Sequence, residues 1–307
     1  MNRTEPLLAR WWIYQRERFP LLAHGLLIAL FAVAAVSYSD ALQTTGKPLT
    51  ATTFVTAFIG CFGFFLLLRI ADEFKDSEDD LRYRAYRPVP RGLITLGELR
   101  TLAIITIALQ LACAWWLDSL LLLPYLLTLG YFMLMGKEFF AHRWLRSHPL
   151  AYLFSHMLIM PLIAFYASAH QWLPHQPPAA LAAFLAVSFF TGIVFEIGRK
   201  IRSPEMEEQG VETYSALWGR PVATGAWLLA LLAAEVSCIC AAALVGPEIN
   251  AIIVALLFLA LAGYNAYAFL QDADKKSAKR FETLSGLWTL SAYAVLGILP
   301  LVSHHVR

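Results

Sequence analysis

Charged residues are scarce in this sequence. Asp, Glu, Lys and Arg make up 15% of its 307 residues and hydrophobic residues make up 59%, whereas a soluble domain carries about 25% charged residues. A soluble fold needs a polar surface that this composition does not supply. The composition therefore excludes an ordinary soluble domain and favours a protein that has the lipid bilayer as its solvent.

Cysteine and net charge are also low. The four cysteines all lie within apolar stretches, and no pair has the spacing of zinc ligands, so we interpret them as reduced core residues. They are Cys61, Cys113, Cys238 and Cys240. The formal net charge of +2 gives no bulk electrostatic reason for binding nucleic acid, and no nucleic-acid partner is expected.

Apolar runs long enough to cross a bilayer recur along the whole chain. They predict about nine transmembrane helices, near residues 19–38, 51–70, 98–116, 120–135, 149–167, 179–197, 221–244, 251–270 and 284–302. Long polar segments follow the second and the sixth helix, near residues 72–95 and 199–220. The sequence therefore predicts an all-α, polytopic membrane bundle that forms a single transmembrane domain over residues 1–307.

The distribution of Lys and Arg predicts the orientation of this bundle. With the N-terminus in the cytoplasm, nine helices leave only Lys47 and Arg307 of the 24 basic residues on the outer side, as the positive-inside rule requires. Both polar segments and Arg3 then face the cytoplasm, and the C-terminus faces outward. We therefore expect a multi-pass protein of the cell inner membrane.

Three aspartates in the first polar segment, Asp72, Asp76 and Asp80, stand four residues apart. If the second helix continues through them, each step leaves roughly 40° of drift and rises about 6 Å, so the carboxylates share one face. Carboxylates so placed repel one another unless a cation lies among them. Mg²⁺ suits such a site, because it takes one or two carboxylates together with phosphate oxygens. The alternative is a solvated acidic loop whose charges are paired locally.

The first polar segment ends in an RPxPxG run, from Arg87 to Gly92. Proline fixes φ and pushes the preceding residue out of the helix, so the run predicts a turn back toward the third span. Arg87 and the arginines around it have the chemistry to clamp phosphate. Positive-inside topology alone also explains them.

The second polar segment mixes charges of both signs. Glu196 and Lys200 are four residues apart and share a helix face, with Arg199 beside them. One carboxylate ligand and two phosphate-binding cations are consistent with this pattern. So is a charged connector in which Glu196 and Lys200 form a purely structural pair.

Together, the Asp-x-x-x-Asp-x-x-x-Asp pattern, the RPxPxG run and the nine spans resemble the UbiA superfamily of intramembrane prenyltransferases, over about residues 15–303. The family usually has Asn, Asp and Asp at these steps; here Asp72 stands in place of the Asn, whereas Asp76 and Asp80 match. Other residues that match family patterns are Arg87, Pro88, Gly92, Lys137, Gly210 and Thr213.

The resemblance implies a reaction and a set of residues. It implies transfer of a prenyl group from a polyprenyl diphosphate lipid to a small acceptor, which we expect to be aromatic, with Mg²⁺ as the cofactor. Mg²⁺ at Asp76 and Asp80, assisted by Asp72, would neutralise the diphosphate leaving group. The expected site residues form three groups: the catalytic residues Asp76, Asp80, Lys137 and Lys200; the substrate-binding residues Arg87, Glu196, Arg199 and Tyr131; and the metal ligands Asp72, Asp76 and Asp80.

One region departs from the family. The second motif of the family is normally rich in Asp, but this chain has Glu196, Arg199 and Lys200 there. The departure leaves open whether a second Mg²⁺ binds. It also leaves two other functions open: a transporter or non-catalytic lipid-binding protein with the same fold, and a transferase that acts on a polyprenyl phosphate.

Overall fold

The computed structural model describes residues 6–43 and 47–305, with side chains up to residue 302. Arg3 and Arg307, which the topology prediction uses, lie outside the described residues. The described residues form helices and no strands. Their α-helices are numbered in chain order: α1 (Leu7–Arg18), α2 (Leu21–Ala41), α3 (Ala51–Lys75), α4 (Ser77–Tyr83), α5 (Leu96–Leu117), α6 (Leu122–Gly136), α7 (His142–Ser147), α8 (Pro149–Met157), α9 (Ile159–Trp172), α10 (Leu181–Arg199), α11 (Tyr214–Trp218), α12 (Arg220–Val245), α13 (Glu248–Gln271), α14 (Lys275–Tyr293) and α15 (Leu299–His305).

Within the described ranges, nine helical segments are long and apolar enough to cross a membrane. This confirms the predicted all-α membrane fold. Most spans are single α-helices. The fifth span combines α8 with α9, and the ninth combines α14, a π-helical segment at Ala294–Ile298, and α15.

Two spans extend further into polar sequence than their apolar runs predict. α3 ends at Lys75 instead of residue 70, and α14 begins at Lys275 instead of residue 284. Asp274 caps α14 by accepting a hydrogen bond from the Ser277 amide (2.7 Å), which satisfies a backbone donor at the helix start. The length of an apolar run therefore underestimates the length of a helix whose end is charged.

Consecutive spans run in opposite directions, so their connections form two ends. At one end, the Tyr86 hydroxyl of the first polar segment donates to Glu208 of the second (3.1 Å). At the other end, Lys47 pairs with Asp118 (2.9 Å). We call the first of these the polar end, and it brings both long polar segments together.

The position of α3 is fixed by close packing in the core. The Gln110 side-chain amide of α5 donates to the Gly60 carbonyl of α3 (2.8 Å). The Phe64 ring packs against Tyr125 of α6 and Tyr166 of α9, with ring centroids 5.3 and 5.8 Å apart. Three neighbouring spans thus determine where the aspartate-bearing end of α3 emerges.

The short N-terminal helix α1 packs on the polar end and was not predicted. Arg18 donates to the fully buried Glu73 carboxylate (2.5 Å), and Arg10 pairs with Glu98 of α5. Because Glu73 adjoins Asp72, α1 holds the end of α3 in place. A twelve-residue helix with three arginines has no long apolar run, so the search for spans missed it.

Candidate active site

The three aspartates keep their helical spacing across the junction between α3 and α4. Asp76 lies at this junction, with φ −85° and ψ 3°. The Asp76 amide still donates to the Asp72 carbonyl (2.9 Å), and the Asp80 amide donates to the Asp76 carbonyl (2.8 Å). The continuous helix that the sequence analysis assumed is therefore broken at one residue, without loss of the four-residue stagger.

The three carboxylates lie in different surroundings. The Asp72 side chain is 51% exposed and Asp76 is 38% exposed, whereas Asp80 is 2% exposed. Asp72 has a cation from Arg69 at 3.1 Å, and the nearest cation to Asp76 is Arg84 at 3.9 Å. Asp72 and Asp76 are thus the two carboxylates open to a ligand.

Asp80 is enclosed by two arginines. The Arg87 guanidinium donates to both of its oxygens (2.8 and 2.9 Å), and Arg84 Nε lies 2.7 Å from one of them. The RPxPxG run then turns as predicted, with the Leu93 amide donating to the Pro88 carbonyl (2.9 Å). The role of Asp80 as a metal ligand stays a prediction, and it requires two guanidinium groups to move. Arg87, the expected phosphate clamp, is itself bound to Asp80.

The electrostatics at Asp76 favour a cation. Burial, and repulsion from Asp72 and Asp80, raise the pKa of Asp76 above the usual range of an aspartate. Among the described residues no three His, Cys, Asp or Glu side chains are placed to hold a metal ion by themselves. Mg²⁺ needs only one or two carboxylates, since water and phosphate oxygens complete its shell. Asp72 and Asp76 fit that requirement.

The lysine next to the aspartates is Lys75, which the sequence analysis did not select. Its amine donates to the Tyr152 hydroxyl (2.5 Å) and pairs with Glu138. The predicted Lys137 lies at the end of α6 and is exposed. Its catalytic role stays a prediction. Lys75 directly precedes Asp76 in the sequence, and that adjacency was the available signal.

The turn after α6 has a strained backbone. Glu138, Phe139 and Phe140 all have positive φ, between 48° and 57°, a region that side chains other than glycine rarely adopt. Burial alone would raise the pKa of Glu138, but hydrogen bonds with Lys75 and His142 outweigh it and lower that pKa. The charge of Glu138 thus holds this turn against the end of α3.

Tyr131, an expected substrate contact, packs under the same turn. Its hydroxyl donates to the Ser155 carbonyl (2.6 Å), and its ring meets Phe139 edge to face with centroids 5.4 Å apart. Its hydroxyl is engaged by the protein, which leaves the ring face as its means of contacting a substrate.

The second polar segment gathers two cations around one carboxylate. Arg199 donates to Glu196 (2.6 Å), and Lys200 pairs with the other oxygen of Glu196 (2.8 Å). The Lys200 amine also lies 5.7 Å from the centre of the Tyr214 ring. Arg199 of the second segment also lies within electrostatic range of Asp72 of the first.

Two residues that match family patterns have structural contacts here. Gly210 has φ +76°, and a Cβ added there would collide with the Tyr83 ring of α4. The Thr213 hydroxyl caps α11 by accepting from the Ala216 amide (3.1 Å) and donates to Glu207 (2.7 Å). The Gly210 contact joins the second segment to α4 of the first, and the Thr213 contacts order the second segment internally.

Comparison with known proteins places the chain in a family. The model of the UbiA prenyltransferase family matches residues 26–291, and the chain belongs to that family. With nine candidate spans in the part of the chain that the structure describes, it is an integral membrane protein. The predicted family and fold are both confirmed. Comparison with curated proteins gives no match.

Two solved structures share the fold. The first is the apo structure of a UbiA homolog from Aeropyrum pernix K1, with a TM-score of 0.66, 17% sequence identity, and coverage of 92% of this chain and 98% of that chain. The second concerns digeranylgeranylglyceryl phosphate synthase in membranes, with a TM-score of 0.57, 14% identity, and coverage of 96% and 99%. At these identities the likeness shows the fold alone.

Proposed function

We propose that the protein is a Mg²⁺-dependent intramembrane prenyltransferase that moves a prenyl group from a polyprenyl diphosphate to a small, aromatic acceptor. Membership of the UbiA family supports the reaction class. The observation that carries the proposal is the pair of half-exposed carboxylates, Asp72 and Asp76, together with Arg199, which lies within electrostatic range of Asp72. Carboxylates beside cations at one end of an apolar bundle suit a lipid with a diphosphate head.

Asp72 and Asp76 would hold Mg²⁺, whose charge, when bound, offsets the negative charge that develops on the departing diphosphate. Asp80 has a different part in this proposal. We call Asp72, Asp76 and Asp80 the aspartate ridge. By binding Arg84 and Arg87, Asp80 fixes the turn that follows this ridge. In this way the buried Asp80 holds the ridge in place, and the exposed Asp72 and Asp76 bind Mg²⁺.

The cations of the second segment contact phosphate directly in this proposal. Glu196 binds Arg199 and Lys200 at once, so the three side chains carry a net positive charge. A guanidinium or ammonium forms short, charge-assisted hydrogen bonds with phosphate, whereas a carboxylate needs an intervening metal. Arg199 and Lys200 thus supply part of the positive charge that a second Mg²⁺ would bring to the diphosphate.

The orientation is part of the proposal. The polar end faces the cytoplasm of an inner membrane, because it holds nearly all the basic residues and Lys47 lies at the other end. The chain acts as one transmembrane domain over residues 1–307. A prenyl tail then lies among the spans, with its diphosphate at the cytoplasmic surface.

Binding of geranylgeranyl thiolodiphosphate, a slowly reacting analogue, tests the function. Asp76→Asn is expected to weaken Mg²⁺-dependent binding at least tenfold, about 1.4 kcal/mol. Asp79→Asn is the matched control, since Asp79 is an exposed neighbour on α4, and it should bind like the wild type. Equal binding by all three proteins would contradict the proposed site. Binding of geranylgeranyl phosphate in preference to the thiolodiphosphate would favour the polyprenyl-phosphate reading.

A further inference from the structure

A small cavity lies at the end of the bundle opposite the polar end, which we call the far end. Its volume is about 240 Å³, the space of about eight water molecules at about 30 Å³ each. The beginning of α3, the end of α5 with the turn that follows, and the end of α9 enclose it. Its polar lining residues are Lys47, Thr50, Thr53, Asp118 and His170, and prenyl transfer at the polar end uses none of them.

Part of this cavity is electropositive. The Lys47 ammonium lies there, and the Lys47 carbonyl is held by Gln171 Nε2, which donates to it (3.3 Å). Thr50 begins α3, and its hydroxyl oxygen accepts from the Thr53 amide (3.1 Å). The first turn of a helix carries further amides without intrahelical partners, together with the positive end of the helix dipole. Lys47 and the start of α3 therefore suit a phosphate group.

The cavity also holds a carboxylate. Asp118 lies in the turn between α5 and α6, where one of its oxygens accepts from the Leu120 amide (3.0 Å) and the other pairs with Lys47 (2.9 Å). Burial alone would raise the pKa of Asp118, but these hydrogen bonds outweigh it and lower that pKa. Asp118 is therefore a charged acceptor within the cavity.

His170 supplies a second acceptor, and it is buried. Its side chain lines the cavity and the residue is 4% exposed. Nδ1 lies 3.0 Å from the Ala167 carbonyl oxygen, which only accepts, so we assign the hydrogen to Nδ1 and the lone pair to Nε2. Nε2 has no hydrogen-bond partner among residues 6–43 and 47–302. A buried acceptor of this kind calls for a donor, and Asp118 lies within electrostatic range of it.

Two tryptophans place the cavity at the level of lipid headgroups. Trp115 and Trp116 are 67% and 72% exposed and come directly before Leu117 and Asp118, which line the cavity. Exposed tryptophans at the end of a span lie at the membrane–water interface. A headgroup of the surrounding bilayer is therefore the nearest source of both a phosphate and a hydrogen-bond donor.

We propose that the far-end cavity is a lipid site that binds the headgroup of a zwitterionic aminophospholipid, with its phosphate at Lys47 and the start of α3 and its primary ammonium at Asp118 and His170. The lining carries one cation and one anion, so a zwitterion matches it in net charge. An anionic headgroup would leave Asp118 without a cation from the lipid. A trimethylammonium headgroup has no N–H to donate to His170 Nε2.

The Lys47–Asp118 pair can exchange partners with such a headgroup. The two side chains are 45% and 24% exposed, and a pair in contact with water is weak. A phosphate at Lys47 and an ammonium at Asp118 replace one ion pair by two. The second pair is charge-assisted and is joined by the bond to His170.

The test uses the full-length protein, purified in detergent and stripped of lipid. Native mass spectrometry follows its titration with dioleoyl-phosphatidylethanolamine and with the phosphatidylcholine and phosphatidylglycerol of the same chains. The wild type should bind phosphatidylethanolamine at least about tenfold more tightly than either of the others, because only this headgroup presents both a phosphate and N–H donors. Phosphoethanolamine without acyl chains is the probe for a soluble ligand and should bind far more weakly.

Two pairs of variants assign the contacts. Asp118→Asn keeps the oxygen that accepts from the Leu120 amide and removes the charge, so the preference for phosphatidylethanolamine over phosphatidylcholine should fall to about threefold or less. Glu248→Gln removes an exposed carboxylate at the same end and should keep that preference. His170→Leu should also reduce the preference, whereas His175→Leu, at an exposed histidine of the next loop, should not.

A third variant separates the two halves of the headgroup. Lys47→Gln should weaken phosphatidylethanolamine and phosphatidylcholine alike, since both lipids carry the phosphate, and leave their ratio unchanged. None of these variants should change Mg²⁺-dependent binding of the thiolodiphosphate by more than about twofold, because the cavity lies at the other end of the bundle. Loss of thiolodiphosphate binding by the wild type would refute prenyl transfer and leave the lipid site standing.

Several results would overturn the lipid site. Phosphatidylcholine or phosphatidylglycerol bound by the wild type as tightly as phosphatidylethanolamine contradicts recognition of the ammonium, and this comparison needs no variant to fold. Phosphoethanolamine bound as tightly as the whole lipid contradicts the lipid origin of the ligand. An unchanged headgroup preference in both Asp118→Asn and His170→Leu contradicts the assigned contacts.

Discussion

Replacing Asp80 should damage the fold, although replacing its neighbour Asp76 should not. The Asp80 carboxylate is buried and lies between Arg84 and Arg87, whose side chains are 10% and 19% exposed. Asp80→Ala leaves both guanidinium groups without their main partner. Sequence analysis grouped Asp76 and Asp80 together as expected metal ligands. The structure separates them, because the Asp76 side chain is 38% exposed and the Asp80 side chain is 2% exposed.

The size of the effect follows from the burial of the cluster. Removing one partner from a buried ion pair costs about 3–5 kcal/mol, and partial exposure of the arginines places this cluster near 3 kcal/mol, the lower end of that range. For Asp76, half-exposed and 3.9 Å from its nearest cation, replacement should change the free energy of unfolding by no more than about 1 kcal/mol. The two variants should thus differ by about 2 kcal/mol or more in unfolding free energy.

Denaturant-induced unfolding in mixed micelles, followed by tryptophan fluorescence, measures this difference. Asp79→Ala is the control for loss of an acidic residue on α4. A triple variant, Asp80→Leu with Arg84→Met and Arg87→Met, removes the whole cluster and should recover most of the stability, because no unpaired charge remains. Asp80→Ala as stable as Asp79→Ala would refute the reasoning, and so would a triple variant less stable than Asp80→Ala.

Three further predictions concern charge and topology. The pKa of Asp76 is raised in the folded protein, so ionisation of Asp76 lowers the stability as the pH rises through that pKa. The melting temperature of Asp76→Asn should therefore be higher than that of the wild type at pH 7.5, and the difference should vanish in acid. Lys200→Ala should slow prenyl transfer on the order of a hundredfold, and Lys200→Asp should be slower still, whereas recovery of Lys200→Asp at high Mg²⁺ would mark a lost metal ligand. With native cysteines replaced, an impermeant maleimide should label Ser77→Cys and Gln43→Cys from opposite sides of the membrane; labelling from one side contradicts the nine-span orientation.

Much of the fold could be predicted because spans are local features. The length of an apolar run and the charges that flank it do not depend on distant residues, so nine spans and one polar end were evident before any contact was known. The spacing of Asp72, Asp76 and Asp80 is local too, and it survives the break at Asp76. Short helices such as α1 and α4 escaped prediction because they have no long apolar run.

The sequence by itself determined the membrane class, the family and the spacing of the aspartate ridge, since each depends on composition or on residues a few positions apart. Only the tertiary structure decided which aspartate is buried, and that Lys75, rather than Lys137, reaches Glu138 and Tyr152. It alone brought Arg199 within electrostatic range of Asp72. These partners are separated by dozens of residues in the chain. Their distances depend on how the spans pack, and packing sums many weak contacts that no short stretch of sequence contains.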